Sequence, residues 1–219
     1  MAEKKAVIFG TGSIAEVVAF YLNHDSDYEV VAFTASNAGV SESFGRPLVP
    51  FQDVENNFPP SSHEMFVAVG YHRLNKLRQQ FCEEARAKNY RLLSYVCSKA
   101  THWGDTIMGD NVFIFEDNTI QPFVAIGSGT ILWSGNHIGH HSKIGKYCFL
   151  TSHVVVSGLC SIGDRCFLGV NSTISEDTAI GDDVIVGPGA LVQKPAGAGE
   201  AYIAKRTEKF PKDSSRFFR

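Results

Sequence analysis

Leu132-Trp-Ser-Gly-Asn-His-Ile-Gly-His-His-Ser-Lys-Ile-Gly145 sets Leu132, Ile138 and Ile144 six residues apart. The register continues both ways without a break. It runs back through Ile126, Ile120 and Ile114 to Met108, and on through Leu150, Val156, Ile162, Leu168, Ile174, Ile180 and Val186 to Val192. A second series, four places further on, holds small or medium-sized residues, among them Val112, Asn118, Thr130, Asn136, Ser142, Cys148, Cys166 and Ala190. A strict period of six fits neither a helix nor a strand alone. It fits a short strand plus a corner, three to a coil. The apolar residue points into a narrow prism, and the small residue fills the corner, where a larger one would overpack. Glycine follows many of the apolar residues, as in Ile126-Gly127 and Ile144-Gly145, and tolerates the positive φ that a corner needs. Residues eighteen apart then stack, Cys148 under Cys166 and Asn118 under Asn136. Such a repeat is a solenoid, a parallel β-helix.

The first hundred residues have a different texture. Lys5-Ala-Val-Ile-Phe-Gly10 is a short apolar run ending in glycine, and a helical pattern follows through Val17, Val18, Phe20 and Leu22. Further strands are expected at Tyr28–Phe33, Pro47–Phe51, Glu64–Gly70 and Arg91–Val96, with a helix from about Leu74 to Lys88. Strand–helix alternation predicts a small parallel sheet of Rossmann type. The division expected is therefore an α/β Rossmann-like domain over 1–98 and a β-helix with a tail over 99–219. The loop Gly10-Thr-Gly-Ser13 can present backbone N–H groups to a phosphate at a helix N-terminus. It lacks the third glycine of a dinucleotide fingerprint, Ala15 standing there, and Thr34-Ala35-Ser36 offers no acid to a ribose. A nucleotide-sugar diphosphate fits this loop better than NAD.

Composition excludes several classes. The hydrophobic content of 44%, charged content of 20% and net charge of −3 belong to a globular domain with no general affinity for nucleic acid or anionic membrane. No apolar run is long enough to span a bilayer. The N-terminus runs straight into a strand pattern rather than a signal peptide, so a cytoplasmic location is expected. Cys82, Cys97, Cys148, Cys160 and Cys166 form no Cys-x-x-Cys pair and read as core residues.

Four of the eight histidines cluster, at His137, His140, His141 and His153. His140 and His141 take outward positions of the repeat. Acyl transfer from a thioester to an amine or hydroxyl needs a base near neutral pH, which imidazole supplies, and N–H donors for the developing oxyanion. The segment contains no carboxylate, and no metal is expected there.

The layout resembles the NeuD/PglD-type sugar acyltransferases, which join a small Rossmann-like domain to a left-handed β-helix. The best match runs from Ile131 to about Val192 and includes Ile162-Gly-Asp-Arg-Cys-Phe-Leu-Gly-Val-Asn-Ser172. The resemblance implies acetyl-CoA as acyl donor, a nucleotide-linked amino sugar of bacterial surface-glycan synthesis as acceptor, and a homotrimer with CoA in the groove between neighbouring β-helices. It implies His140 as general base, with His141 standing where the family usually has an acid. Gly158 corresponds to the glycine whose amide faces the thioester carbonyl, and Val170 and Gly187 to positions along the CoA arm. Gly10, Gly12, Ser13, Gly70, Tyr71, His72 and Trp133 fall on the sugar-nucleotide side. O-acetylation of a sialic-acid-type sugar is the alternative. A non-catalytic scaffold and a carbonic-anhydrase-like metal protein are more distant ones.

Overall fold

A computed structural model describes residues 4–36, 41–104, 106–209 and 211. The chain begins with a sheet. Strands β1 (Lys4–Phe9), β2 (Tyr28–Ala35), β4 (Arg46–Pro50) and β5 (Glu64–Val67) run parallel in the order β4-β2-β1-β5, and the short β3 (Glu42–Ser43) pairs antiparallel with β4. Along β1, Ala6 and Ile8 pack with residues of α1 (Ser13–Asp25), while Val7 and Phe9 pack with Cys82 and Ala85 of α3 (Lys76–Ala87). Both faces are covered, which is why these strands read as nearly unbroken apolar runs. A short helix, α2 (Val54–Asn57), lies between β4 and β5. Helix α3 starts at Lys76 rather than Leu74 because Arg73, Leu74 and Asn75 hold φ values of +53°, +50° and +64°. Three successive left-handed residues cannot enter a right-handed helix.

The run expected as a single strand from Arg91 to Val96 is shared between two structures. Leu92 bridges to Met65 on β5, and β6 (Tyr95–Val96) pairs with Phe113–Ile114 of the repeat. From there the chain winds as the parallel β-helix expected from the period, with the left-handed coil that the resemblance implies. Each two-residue strand pairs with the one a coil further on, as in Ile126 to Ile144 to Ile162 to Ile180. The apolar series from Ile114 to Val192 is buried along the axis, with Met108 half-buried at its start, and so is the small series, from Val112 to Ala190. Each fully buried aliphatic side chain contributes about 1.5–3 kcal/mol. The stacked polar members bond along the coil: Asn136 Nδ2 donates to Asn118 Oδ1 at 3.0 Å, and Cys148 Sγ lies 3.1 Å from Gly163 O.

The positive φ does not fall on the glycines that follow the apolar residues. It falls two places later, at Asp117, Phe123, Gly129, Gly135, His141, Tyr147, His153, Leu159 and Arg165 among others, and most of these are not glycine. The glycines of the Ile-Gly pairs answer a different need. A Cβ on Gly145 would lie 2.4 Å from Gly163 O, and one on Gly127 2.6 Å from Gly145 C. The next coil passes too close for any side chain.

The prism has three faces. One carries Phe113, Ile131, Phe149 and Phe167 outward, the next Thr119, His137, Val155 and Thr173, the last Ala125, Lys143, Ser161 and Ala179. The N-terminal domain packs on the first: Phe113, Ile131 and Phe149 share a buried cluster with Ile8, Val18, Leu22, Phe33 and Phe66. Two further ties secure it. Tyr21 Oη donates to Glu116 at 2.6 Å, and Arg86 makes a two-pronged contact with Asp110 at 2.8 and 2.9 Å. Of the C-terminal tail, Phe210 and residues 212–219 lie outside the described residues.

Candidate functional site

His140 and His141 sit on the edge where the His137 face turns into the Lys143 face, and both are exposed. The His140 backbone N–H donates to Gln121 Oε1 at 2.8 Å, and its carbonyl accepts from Leu159 N at 2.8 Å. His141 takes the left-handed corner position, φ +60°, which swings its ring against its neighbour's: the two Nδ1 atoms are 3.2 Å apart. Phe123, one coil below, packs on the His141 ring with centroids 4.6 Å apart. The contact between the two Nδ1 atoms leaves Nε2 of His140 free of it. Gly158, one coil above, completes the edge. A Cβ there would stand 2.8 Å from both Nε2 and Cε1 of His140. The imidazole occupies the space a side chain would fill, and the Gly158 N–H has no acceptor among the described residues.

The neighbouring histidines do not join this pair. His137 lies half-buried on its strand, and His153 lies on a different edge, against Gly135. Among the described residues no group of three or more His, Cys, Asp or Glu is arranged to hold a metal ion. The five cysteines are free and buried. Burial pushes the Cys82 thiol up to about 12, far from a reactive thiolate.

Val170 and Gly187 stand on the edge where the Phe149 face turns into the His137 face, so the three expected CoA positions divide between two edges of one chain. Val170 is exposed and Gly187 buried.

The residues expected on the nucleotide side come together at the C-terminal ends of β1, β2 and β5. Gly10, Gly12, Ser13, Gly70 and His72 line one cavity of about 320 Å³, together with Phe9, Ile14, Ser36, Leu77 and Phe81. Gly10 holds φ +125°, and a Cβ there would approach Ala68 O to 3.0 Å. Gly12 caps α1 without a side-chain bond to its N–H groups, which leaves those donors to a ligand. Tyr71 turns away from the cavity and packs on Phe149 and Phe167, at 5.1 and 5.0 Å. Trp133 stacks on Phe115 at 4.5 Å, also outside the cavity lining. Gln121 was not evident from the residues alone; the signal for it is its place one coil before Gly139, beside His140.

Gly158→Ala is expected to lower turnover about 100-fold while leaving the thermal midpoint nearly unchanged, because the added methyl displaces only the tip of the His140 ring. Parallel kcat and melting measurements check this. A variant with wild-type kcat would detach Gly158 from the site.

The family model for bacterial transferase hexapeptide (six repeats) matches residues 159–194. UDP-3-O-acylglucosamine N-acyltransferase of Methylococcus capsulatus is 33% identical over 82 residues, 36% of this chain and 21% of that protein. The match thus spans about a fifth of that curated relative's length. Among solved structures, PerB from Caulobacter crescentus in complex with CoA and GDP-perosamine superposes with a TM-score of 0.80 at 27% identity, covering 91% of this chain and 94% of that one. A histidine-to-asparagine mutant of perosamine N-acetyltransferase from the same organism, also with CoA and GDP-perosamine, gives 0.81 at 25% identity over 91% and 93%. No helix among the described residues is long and apolar enough to cross a membrane. In its repeat, its fold and these likenesses, the chain is similar to the hexapeptide-repeat, left-handed β-helix acetyltransferases.

Proposed function

We propose that the protein transfers an acetyl group from acetyl-CoA to the amino group of a nucleotide-linked amino sugar, with His140 as general base. The observation that carries this reading is the His140–His141 pair over Gly158: a free Nε2 beside an unpartnered backbone N–H. The amine attacks the thioester carbonyl and the C–N bond forms. Nε2 of His140 takes the amine proton, and the imidazolium is held by the Nδ1 lone pair of His141, which does the work of the usual acid. The Gly158 N–H faces the oxyanion. The C–S bond then breaks, and the thiolate of CoA recovers the proton from His140. PerB's bound ligands and the N-acylating relatives support an amino sugar over a hydroxyl acceptor.

The reading requires more than one copy. His140 lies on the edge opposite the face that carries the N-terminal domain, so the glycine-loop cavity and the base sit on opposite sides of the same prism. A sugar held by Gly10–Ser13 and Gly70 meets a base from a neighbouring chain, and a trimer around the β-helix axis direction brings the two kinds of edge together. CoA then lies between copies, with Gly158 from one and Val170 and Gly187 from the next.

Subunit mixing tests this. His140→Ala chains and Gly12→Asp chains are each expected to be inactive alone, and co-assembly of the two should restore a substantial fraction of wild-type turnover. Co-assembled oligomers that stay silent would contradict a site shared between copies.

A further inference from the structure

Arg78 is fully buried, yet no carboxylate pairs with it. Its guanidinium is held by carbonyl oxygens and one amide. Nε donates to Gly129 O at 2.7 Å, Nη1 to Val69 O at 3.1 Å and Gly70 O at 2.7 Å, and Nη2 to Asn75 Oδ1 at 2.9 Å, Tyr147 O at 2.8 Å and Cys148 O at 3.0 Å. The Phe149 ring lies 5.7 Å away. All its N–H donors are satisfied, but its charge is not. A buried charge left without a counter-charge is expensive.

The position of this charge is informative. Val69 and Gly70, whose carbonyls it draws back, both line the cavity beside the glycine loop, and so does Leu77, its neighbour on α3. In a planar trans peptide the N–H points opposite to the C=O. Pulling the Gly70 carbonyl toward Arg78 therefore turns the Tyr71 N–H away from it, and the Val69 carbonyl does the same for the Gly70 N–H. Neither N–H has an acceptor among the described residues. The cavity lining itself contains no lysine or arginine and no carboxylate. Arg78 is thus a permanent cation behind this wall, bonded to the wall's own peptides.

Resting on the nucleotide-sugar reading of this cavity, we infer that Arg78 is a positioning residue for the substrate: it supplies the counter-charge to the bound diphosphate through the Val69–Tyr71 peptides, without touching it. The diphosphate completes an ion pair that the free protein lacks. A residue serving only to fasten the domains together would leave anion affinity unchanged once the fold is intact.

The test is calorimetric titration of the full-length chain with UDP, dTDP and GDP, using whichever binds most tightly, and with acetyl-CoA as control. Arg78→Gln removes the charge and is expected to weaken the nucleoside diphosphate about tenfold, or 1.4 kcal/mol, with acetyl-CoA affinity unchanged. Arg78→Lys keeps the charge and is expected to recover most of that loss. Asn75→Asp puts a carboxylate on Nη2 and is expected to weaken the nucleotide by a similar factor while Arg78 keeps its other partners. It serves as the deciding variant if Arg78→Gln does not fold. Wild-type nucleotide affinity in Asn75→Asp, or in a folded Arg78→Gln, would overturn the inference and leave the cavity assignment standing. No binding of any nucleoside diphosphate by the wild type would overturn both.

Discussion

His140→Ala is expected to cut kcat for acetyl transfer by about 10²–10⁴-fold, the range for loss of a general base, while leaving acetyl-CoA affinity and the melting temperature close to wild type. The ring is exposed and its contacts to Gly158 and His141 are at the surface, so little packing is lost. The loss should fall on kcat rather than KM, because the interaction exists only as the proton moves. It should also shrink as the pH rises. An amine that arrives already neutral needs a base less, and a hydroxyl acceptor would show no such recovery over the same range. Steady-state kinetics from neutral to alkaline pH read both effects. Wild-type kcat in the variant would remove His140 from the chemistry.

Arg78→Ala is expected to destabilise the fold by about 3–5 kcal/mol, the scale for breaking up a buried charge network. The substitution strands four carbonyls at once, Val69, Gly70, Gly129 and Tyr147, whereas Cys148 O keeps its bond from Ile131 N–H. A buried acceptor left without a donor costs about 1–3 kcal/mol, offset in part because the guanidinium no longer has to be desolvated. That desolvation pushes its pKa down to about 10, which still leaves it charged at neutral pH. Two of the stranded carbonyls lie on the β-helix and two on the N-terminal domain, so the weakened element is the joint between them. Against a typical total stability of about 5–15 kcal/mol, the change is large. Urea unfolding measures it, and a midpoint shifted by less than about 1 kcal/mol would show that the network contributes little.

The β-helix was legible because its period is unbroken. Met108 to Val192 alone predicts the axis, the corners and the eighteen-residue stacking, and Asn136 bonding to Asn118 follows from that register. The role of the Ile-Gly glycines was not legible. A sequence shows that glycine recurs, but whether it serves a positive φ or the close passage of the next coil depends on coordinates, and here the second holds at Gly145. The α/β alternation was equally plain, although the left-handed turn at Arg73–Asn75 delayed α3, since nothing in Arg-Leu-Asn announces three positive φ angles. Of the site, the glycine loop could be read from local rules. The His140–His141 contact could be expected only as outward neighbours, because their Nδ1 approach depends on the corner φ of His141. The proposed division of the site between opposite sides of the prism follows from which face the N-terminal domain covers. That choice is made by Phe113, Ile131 and Phe149, outward residues of the repeat whose apolar character has no other use.

The most direct test of the central claim is acetyl-CoA turnover, followed as free thiol release, against a panel of UDP-, dTDP- and GDP-linked amino sugars. The account predicts turnover with an amino sugar whose product carries the acetyl group on nitrogen. Release of thiol only with sialic acid or another hydroxyl acceptor, or no release together with no CoA binding, would contradict it.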